Sequence, residues 1–303
     1  MVAPQDFAFN EQTAADNEFQ HRPDLQAGPL RERALEEFAA SVQRLTDKGV
    51  DVLVHNGNLK SSTPMPDAVF PNNWFATEAD GTIVVFPMAT PNRRAETGQL
   101  PEIEALLKSK GYRSHGMVRI GDADEDSLFL EGTGSMVLDR VNRIVYAARS
   151  VRTHALQVEA YARQLGYKEV ILFNTLSSTG QEFYHTNVVM SIGEKFAIIC
   201  SECIDDETER YHVLASLAKY RTVMEISLEQ AERFFCANLL QVAGAGGQPY
   251  TVMSESAWQG FTKEQKRQLE GFAPVITLPI QTIEYIGGGS ARCMMAEVFL
   301  PKG

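Results

Sequence analysis

The sequence predicts a single α/β domain on three observations. Strand-like and helix-like segments alternate along all 303 residues, no Pro/Gly/Ser-rich linker divides them, and a strand pair, a helix and another strand return about every fifty to sixty residues. Runs rich in β-branched and aromatic residues place strands at Val50–His55, Thr82–Pro87, Ser135–Asp139, Arg143–Ala147, Glu169–Phe173, Asn187–Ile192, Phe196–Cys200, Thr222–Ile226, Gln248–Met253, Pro274–Leu278 and Met294–Phe299. Helical periodicity covers Leu30–Lys48, Leu100–Lys110, Val151–Leu165, Arg210–Lys219, Ser227–Phe234, Ser254–Gln259 and Thr262–Gly271. Two of these carry a start signal: Ser227 with Gln230, and Thr262 with Gln265, have the form of a capping box. The longest expected loops, Asn56–Asn73 and Pro87–Gln99, fall short of linker length.

Charge and composition remove several function classes. The net charge is −11, from 28 basic against 39 acidic residues, and no basic run occurs, which argues against a phosphate-tracking surface for nucleic acid. The apolar stretch Ile192–Cys200 is broken by Gly193, Glu194 and Lys195, so no membrane span is expected. Four scattered cysteines do not staple a chain of this length, and the start MVAPQDFAFNEQ lacks the basic and apolar regions of an export signal. A cytoplasmic location is the expectation. Oligomeric state is not readable; a homo-oligomer is compatible with the sequence.

Four segments carry candidate chemistry. In GGGSARCMMAE, Gly287 to Gly289 permit close backbone approach and lead toward an expected strand, which puts the Cys293 thiol at the mouth of a glycine loop beside Arg292, a cation that favours a thiolate. The alternative for Cys293 is a buried core thiol. Cys200 and Cys203, spaced as CSEC with no second pair, lack the ligands of a zinc site, and Cys236 in FFCANLL reads as packing. Among six histidines, His185 in FYHTNVVMSIG stands just before an expected strand, two residues from Asn187, so both side chains would share one face. Glu131 in LFLEGTGSMVLD follows an apolar run; it is either a turn residue facing solvent or a carboxylate that orients an imidazole. In PDAVFPNNWF, Asp67, Asn72 and Asn73 are set among Pro, Phe and Trp, a mixture suited to a planar hydrogen-bonding ligand.

Taken in order, DAVFPNNW, EGTG, HTN and GGGSARC resemble the motifs of the guanidine-modifying enzymes of the pentein superfamily: arginine and agmatine deiminases, dimethylarginine dimethylaminohydrolase, succinylarginine dihydrolase and the amidinotransferases. The opening FNEQTAADNEFQ is similar to that of an arginine-deiminase-related, or citrulline-utilisation, subgroup. The resemblance implies a five-bladed propeller of ββαβ units over residues 1–303, with one central site and neither metal nor organic cofactor. It also implies that Cys293 is the nucleophile, His185 the acid/base and Glu131 its orienting carboxylate. Through the same resemblance Asp67 would contact the substrate α-amino end and Phe70, Asn72 and Asn73 the same loop's pocket. Arg152 would bind the α-carboxylate, Arg93 or Arg94 would add a second contact, and Gly288 and Asn187 would complete the pocket.

The departures bear on the substrate. Positions 73 and 187, which resemble carboxylate positions of the deiminases, hold asparagine here. A buried cation without a counter-charge is disfavoured, whereas a neutral ureido group offers the donors and acceptor that an amide satisfies. The first expectation is therefore a small ureido or guanidino amino acid, L-citrulline foremost, cleaved to ornithine, ammonia and carbon dioxide. Arginine deiminase or dihydrolase and dimethylarginine-type activity are the close alternatives. An amidinotransferase, and a non-catalytic pentein-fold binding protein like the ribosome anti-association factor, stand further off.

Overall fold

The structure is a computed structural model that describes residues 1–24, 27–57, 63–121 and 128–303. Residues 58–62, inside the loop expected over Asn56–Asn73, lie outside the described residues. Four three-stranded sheets share one topology: β1–β3 (Phe75–Thr77, Thr82–Val85, Gly116–Arg119), β4–β6 (Val137–Asp139, Ile144–Ala148, Glu169–Phe173), β7–β9 (Met190–Ile192, Phe196–Ile199, Thr222–Glu225) and β10–β12 (Leu240–Ala243, Pro249–Ser254, Val275–Leu278). In each, the first strand pairs antiparallel with the second and the third pairs parallel with the second. A parallel pair needs a helical crossover. Leu100–Ser109, Ala155–Gln164, Glu207–Ala218 and the pair Glu255–Gly260 and Lys263–Phe272 supply it. The middle strands β5 and β8 are buried at every residue, which is why they read as continuous apolar runs rather than alternating ones.

A fifth unit joins the two ends of the chain. Helix α1 (Ala27–Thr46) leads to the extended segment 50–55, where Val2 and His55 form a parallel bridge and His55 N–H donates to Met1 O at 3.0 Å. Val2 and Leu300 share a core cluster with Leu53, Ala296 and Val298 packed against it. The strands expected over Val50–His55 and Met294–Phe299 form no regular ladder. The partner segment stops at Pro4, which has no N–H, and the Phe299 N–H is taken by Thr77 Oγ1 at 2.8 Å. Sequence reading missed the short strands β1, β3 and β10 and the helix Gln281–Gly287, whose terminal glycines resemble a loop; Gly288 ends that helix at φ +63°.

Short helical connectors join successive units: Pro71–Asn73, Gly132–Ser135, Thr186–Val189, Leu228–Phe234 and Gln281–Gly287. The first touches the second, the second the third and the third the fourth, so they gather the unit junctions in one place. Both expected capping boxes are present, at Ser227 and Thr262. Cys200, Cys203 and Cys236 are buried and unpaired by disulfide. Among the described residues no helix is long and apolar enough to cross a membrane. Thr262 faces solvent and lies outside the cavity-forming connectors, so Thr262→Ala is expected to lower the unfolding free energy by about 1 kcal/mol without changing catalysis. Denaturant titration checks this, and a loss within error of zero would show that the box does not hold the helix start.

Candidate active site

Glu131 occupies the cap position of the connector Gly132–Ser135. Gly132 has φ +52°, and a Cβ there would stand 2.2 Å from Asn72 O, so this connector reaches the Pro71–Asn73 turn only with glycine at that position. The Glu131 side chain is fully buried. Its Oε2 meets His185 Nε2 at 2.9 Å, its Oε1 accepts from the Ala89 N–H at 3.0 Å, and Arg152 and Arg93 stand 3.5 and 3.7 Å away. Burial pushes its pKa upward, but Arg152, the hydrogen bond and charge of His185, and Arg93 together outweigh it and hold the carboxyl well below the usual carboxylate range.

His185 is extended (φ −138°, ψ 143°), but residues 186–189 form a helical turn instead of the expected strand, which begins only at Met190. His185 and Asn187 are thus not neighbours on one strand face. Thr186 explains the turn: its hydroxyl donates to Ser135 O at 2.6 Å and accepts from the Ala148 N–H at 2.7 Å, tying this connector to the previous one. Burial lowers the His185 pKa, opposed by the hydrogen bond and charge of Glu131. With Glu131 on Nε2, the other ring nitrogen lies against Gly134, where a Cβ would stand 2.6 Å from Nδ1 and 2.3 Å from Asn73 Nδ2.

Cys293 follows the helix Gln281–Gly287 in a turn, not at a strand start. Its sulfur receives two side-chain amides, Asn187 Nδ2 and Asn238 Nδ2, each at 3.4 Å. Arg292 does not serve the thiol: it bonds Met295 O at 2.8 Å and Glu297 at 3.0 Å and lines a different cleft.

A small cavity brings together Cys293, His185, Asp67, Phe70, Asn73, Arg93 and Arg152, with Asn17, Tyr184, Gly287 and Gly289. Glu131 stands behind His185. Four expected pocket residues are placed elsewhere. Asn72 donates to Thr133 Oγ1, Asn187 faces the neighbouring cleft while touching the sulfur, and the Gly288 carbonyl accepts from Tyr184 and Asn17. Arg94 is exposed and donates to Met88 O and Ala89 O, so of these two neighbours it is Arg93 that lies at the site. Arg93 binds Glu96 at 3.0 Å, Asn73 Oδ1 at 2.9 Å and the carbonyls of Asp67 and Phe70. Asp67 is buried, and burial raises its pKa against Arg93, Asn10, Arg152 and Thr13. Among the described residues, Asp67 Oδ1 and Asn73 Nδ2 have no hydrogen-bond partner, a free acceptor and a free donor on one cavity.

Sequence reading assigned no role to Asp16, Asn17, Tyr184 or Asn238. One signal was available for Asn238: Asn73, Glu131, His185, Asn238 and Cys293 follow one another about one repeat apart, one at or beside each connector.

The chain has the pentein fold. The structure superposes on ArgZ, an arginine dihydrolase from the ornithine-ammonia cycle in cyanobacteria, with a TM-score of 0.73 at 17% identity, covering 100% of this chain and 40% of that one. The chain therefore spans two fifths of full-length ArgZ, whose N-terminal domain it matches over 95% of that domain's length (TM-score 0.68, 17% identity, 97% of this chain). A dimethylarginine dimethylaminohydrolase adduct with S-methyl-L-thiocitrulline matches at 0.65 and 16% identity, over 97% of this chain and 96% of that one. No curated protein sequence matches it. The model of the eukaryotic N,N dimethylarginine dimethylhydrolase family matches residues 3–300, and the chain belongs to that family. That family is named for a hydrolase of N,N-dimethylarginine.

This geometry makes three predictions. Gly134→Ala drives a methyl into His185 and Asn73 and is expected to cost at least about 10²-fold in kcat; near-normal turnover would show that the ring position is not critical. Burial holds the His185 pKa below its ordinary 6.5, so kcat/KM is expected to fall on the acid side only below that pH. Glu131→Gln removes the group that pulls His185 upward, and the acid limb should move lower still as kcat drops about 10²-fold or more. A limb that moves up would contradict the pairing.

Proposed function

We propose that this enzyme hydrolyses the guanidino group of free L-arginine through to ornithine, with Cys293 as nucleophile, His185 as acid/base and Glu131 as its orienting carboxylate. The observation that carries the reading is the cavity itself: a thiol, a neutral imidazole held by a buried carboxylate, and an unpaired acceptor and donor on Asp67 and Asn73. The expectation that citrulline is the preferred substrate gives way, because the family is one of guanidino hydrolases and two arginine dihydrolase and dimethylarginine hydrolase folds match the chain.

The chemistry runs in balanced steps. Cys293 attacks the guanidinium carbon and its proton passes to His185, which returns a proton to the departing ammonia and leaves an alkylthiouronium on sulfur. Water deprotonated by His185 adds to the same carbon, and loss of a second ammonia gives an S-carbamoyl thioester. A second water releases the thiol and a carbamate, which yields ornithine and carbon dioxide. In sum, arginine and two waters become ornithine, two ammonia and one carbon dioxide.

Asn73 fits the second half of this sequence. A guanidinium has only donors and leaves Asn73 Nδ2 unsatisfied, whereas the carbonyl formed after the first hydrolysis accepts its hydrogen bond. The asparagine thus suits a ureido-level intermediate rather than a ureido substrate. Asp67, whose Oδ1 is free, suits the substrate ammonium, and Arg152 its carboxylate. The opening segment, which is similar to that of the arginine-deiminase-related subgroup, supplies Asn17 to the cavity wall.

The test is product analysis with arginine, citrulline and dimethylarginine, Cys293→Ser as control. Ornithine and ammonia in a ratio of about one to two from arginine are expected, absent in the control. Asn73→Ala is expected to shift product from ornithine toward citrulline. Turnover of dimethylarginine alone would move the reading to the family's namesake substrate, and turnover of citrulline alone would restore the neutral-substrate reading.

A further inference from the structure

Arg152 is buried, and its Nε and Nη2 are fully engaged. The edge formed by Nε and Nη2, which grips a carboxylate through two parallel hydrogen bonds, is occupied by Asp16: Nε meets Oδ2 at 2.8 Å and Nη2 meets Oδ1. Nη2 also donates to Thr13 O at 3.0 Å, Nη1 lies 3.5 Å from Glu131 Oε2, and the Tyr184 ring lies 4.9 Å from the guanidinium carbon. A carboxylate that takes this edge has to displace Asp16.

Asp16 is the exchangeable partner. Its side chain is 27% exposed against 2% for Arg152 and 0% for Glu131, so its carboxylate can turn into water while theirs cannot. The turn that carries it is anchored without it: Asn10 and Thr13 donate to Asp67 Oδ2 at 2.7 and 3.1 Å, Asn17 donates to Gly288 O, and Phe19 stacks on Phe183. Departure of Asp16 therefore leaves the cavity wall in place.

We propose that Asp16 sets the discrimination between guanidino compounds with and without a carboxylate, by holding the edge of Arg152 that a substrate carboxylate must take. The proposal rests on the functional reading above. A carboxylate-bearing substrate has to displace a like charge to bind, whereas a carboxylate-free one meets the Asp16–Arg152 pair intact.

The experiment compares L-arginine with agmatine, the same chain without the carboxylate, as substrate or competitive inhibitor, in the wild type, Asp16→Asn and Asp16→Glu. Removing the competing charge in Asp16→Asn is expected to lower the KM for arginine about tenfold, leave the agmatine constant unchanged, and so raise the preference about tenfold. Asp16→Glu restores the carboxylate and should keep the wild-type preference. A rise in the arginine KM, or an equal change for both compounds, overturns the proposal, since Asp16 would then only steady Arg152. A wild type that turns over no guanidino amino acid sinks the functional reading and this inference together; an active wild type with an unchanged ratio sinks the inference alone.

Discussion

The buried charge of Glu131 organises the rest of the site. An ionised carboxylate taken fully out of water costs several kcal/mol unless its charge and lone pairs are met. Here a backbone N–H, an imidazole and two arginines meet them. Each arginine then needs partners of its own, and finds them in segments far apart in sequence: Glu96 and Asn73 for Arg93, Asp16 and Thr13 for Arg152. One buried carboxylate thereby ties the opening segment, two connectors and the loop after β2 into a single unit. The same carboxylate fixes which ring nitrogen of His185 is left unpaired by it.

Glycines make the geometry attainable. At Gly132 and Gly134 a side chain would collide with the Pro71–Asn73 turn or with His185, and at Gly287 a Cβ would stand 2.8 Å from the Phe70 ring. The connectors can therefore approach closely enough for residues from five junctions to meet around one small cavity. What remains unpaired there is instructive, because buried polar atoms without partners are rare in a finished fold. Asp67 Oδ1 and Asn73 Nδ2 are complementary to a ligand that presents both donors and an acceptor at different ends or at different stages of reaction.

Much of this was legible in the sequence. Strands such as β6 and β8 and both capping boxes follow from local pattern, since β-branched runs and Ser/Thr-x-x-Gln signals are decided over a few residues. The fifth unit was less legible because its pairing depends on the two chain ends meeting, a long-range contact that no local pattern encodes. Asn187 was expected to open a strand with His185 just before it, yet Thr186 hydrogen bonds to two other elements impose a turn. For the site, Cys293, His185 and Glu131 stood out by motif. Asp16 and Asn238 did not, because a carboxylate or amide acquires its role only from what faces it, Arg152 in one case and a sulfur in the other. Arg94 and Arg292 show the converse: each neighbours a site residue in sequence and points to other partners.

The central claim is that one thiol among four performs the covalent step within this cavity. Mass spectrometry of protein quenched during turnover of L-arginine tests it most directly. The account predicts a covalent adduct confined to the peptide bearing Cys293, accumulating when His185 is replaced by glycine and absent in Cys293→Ser. An adduct on Cys200, Cys203 or Cys236, or turnover that persists without Cys293, would contradict it.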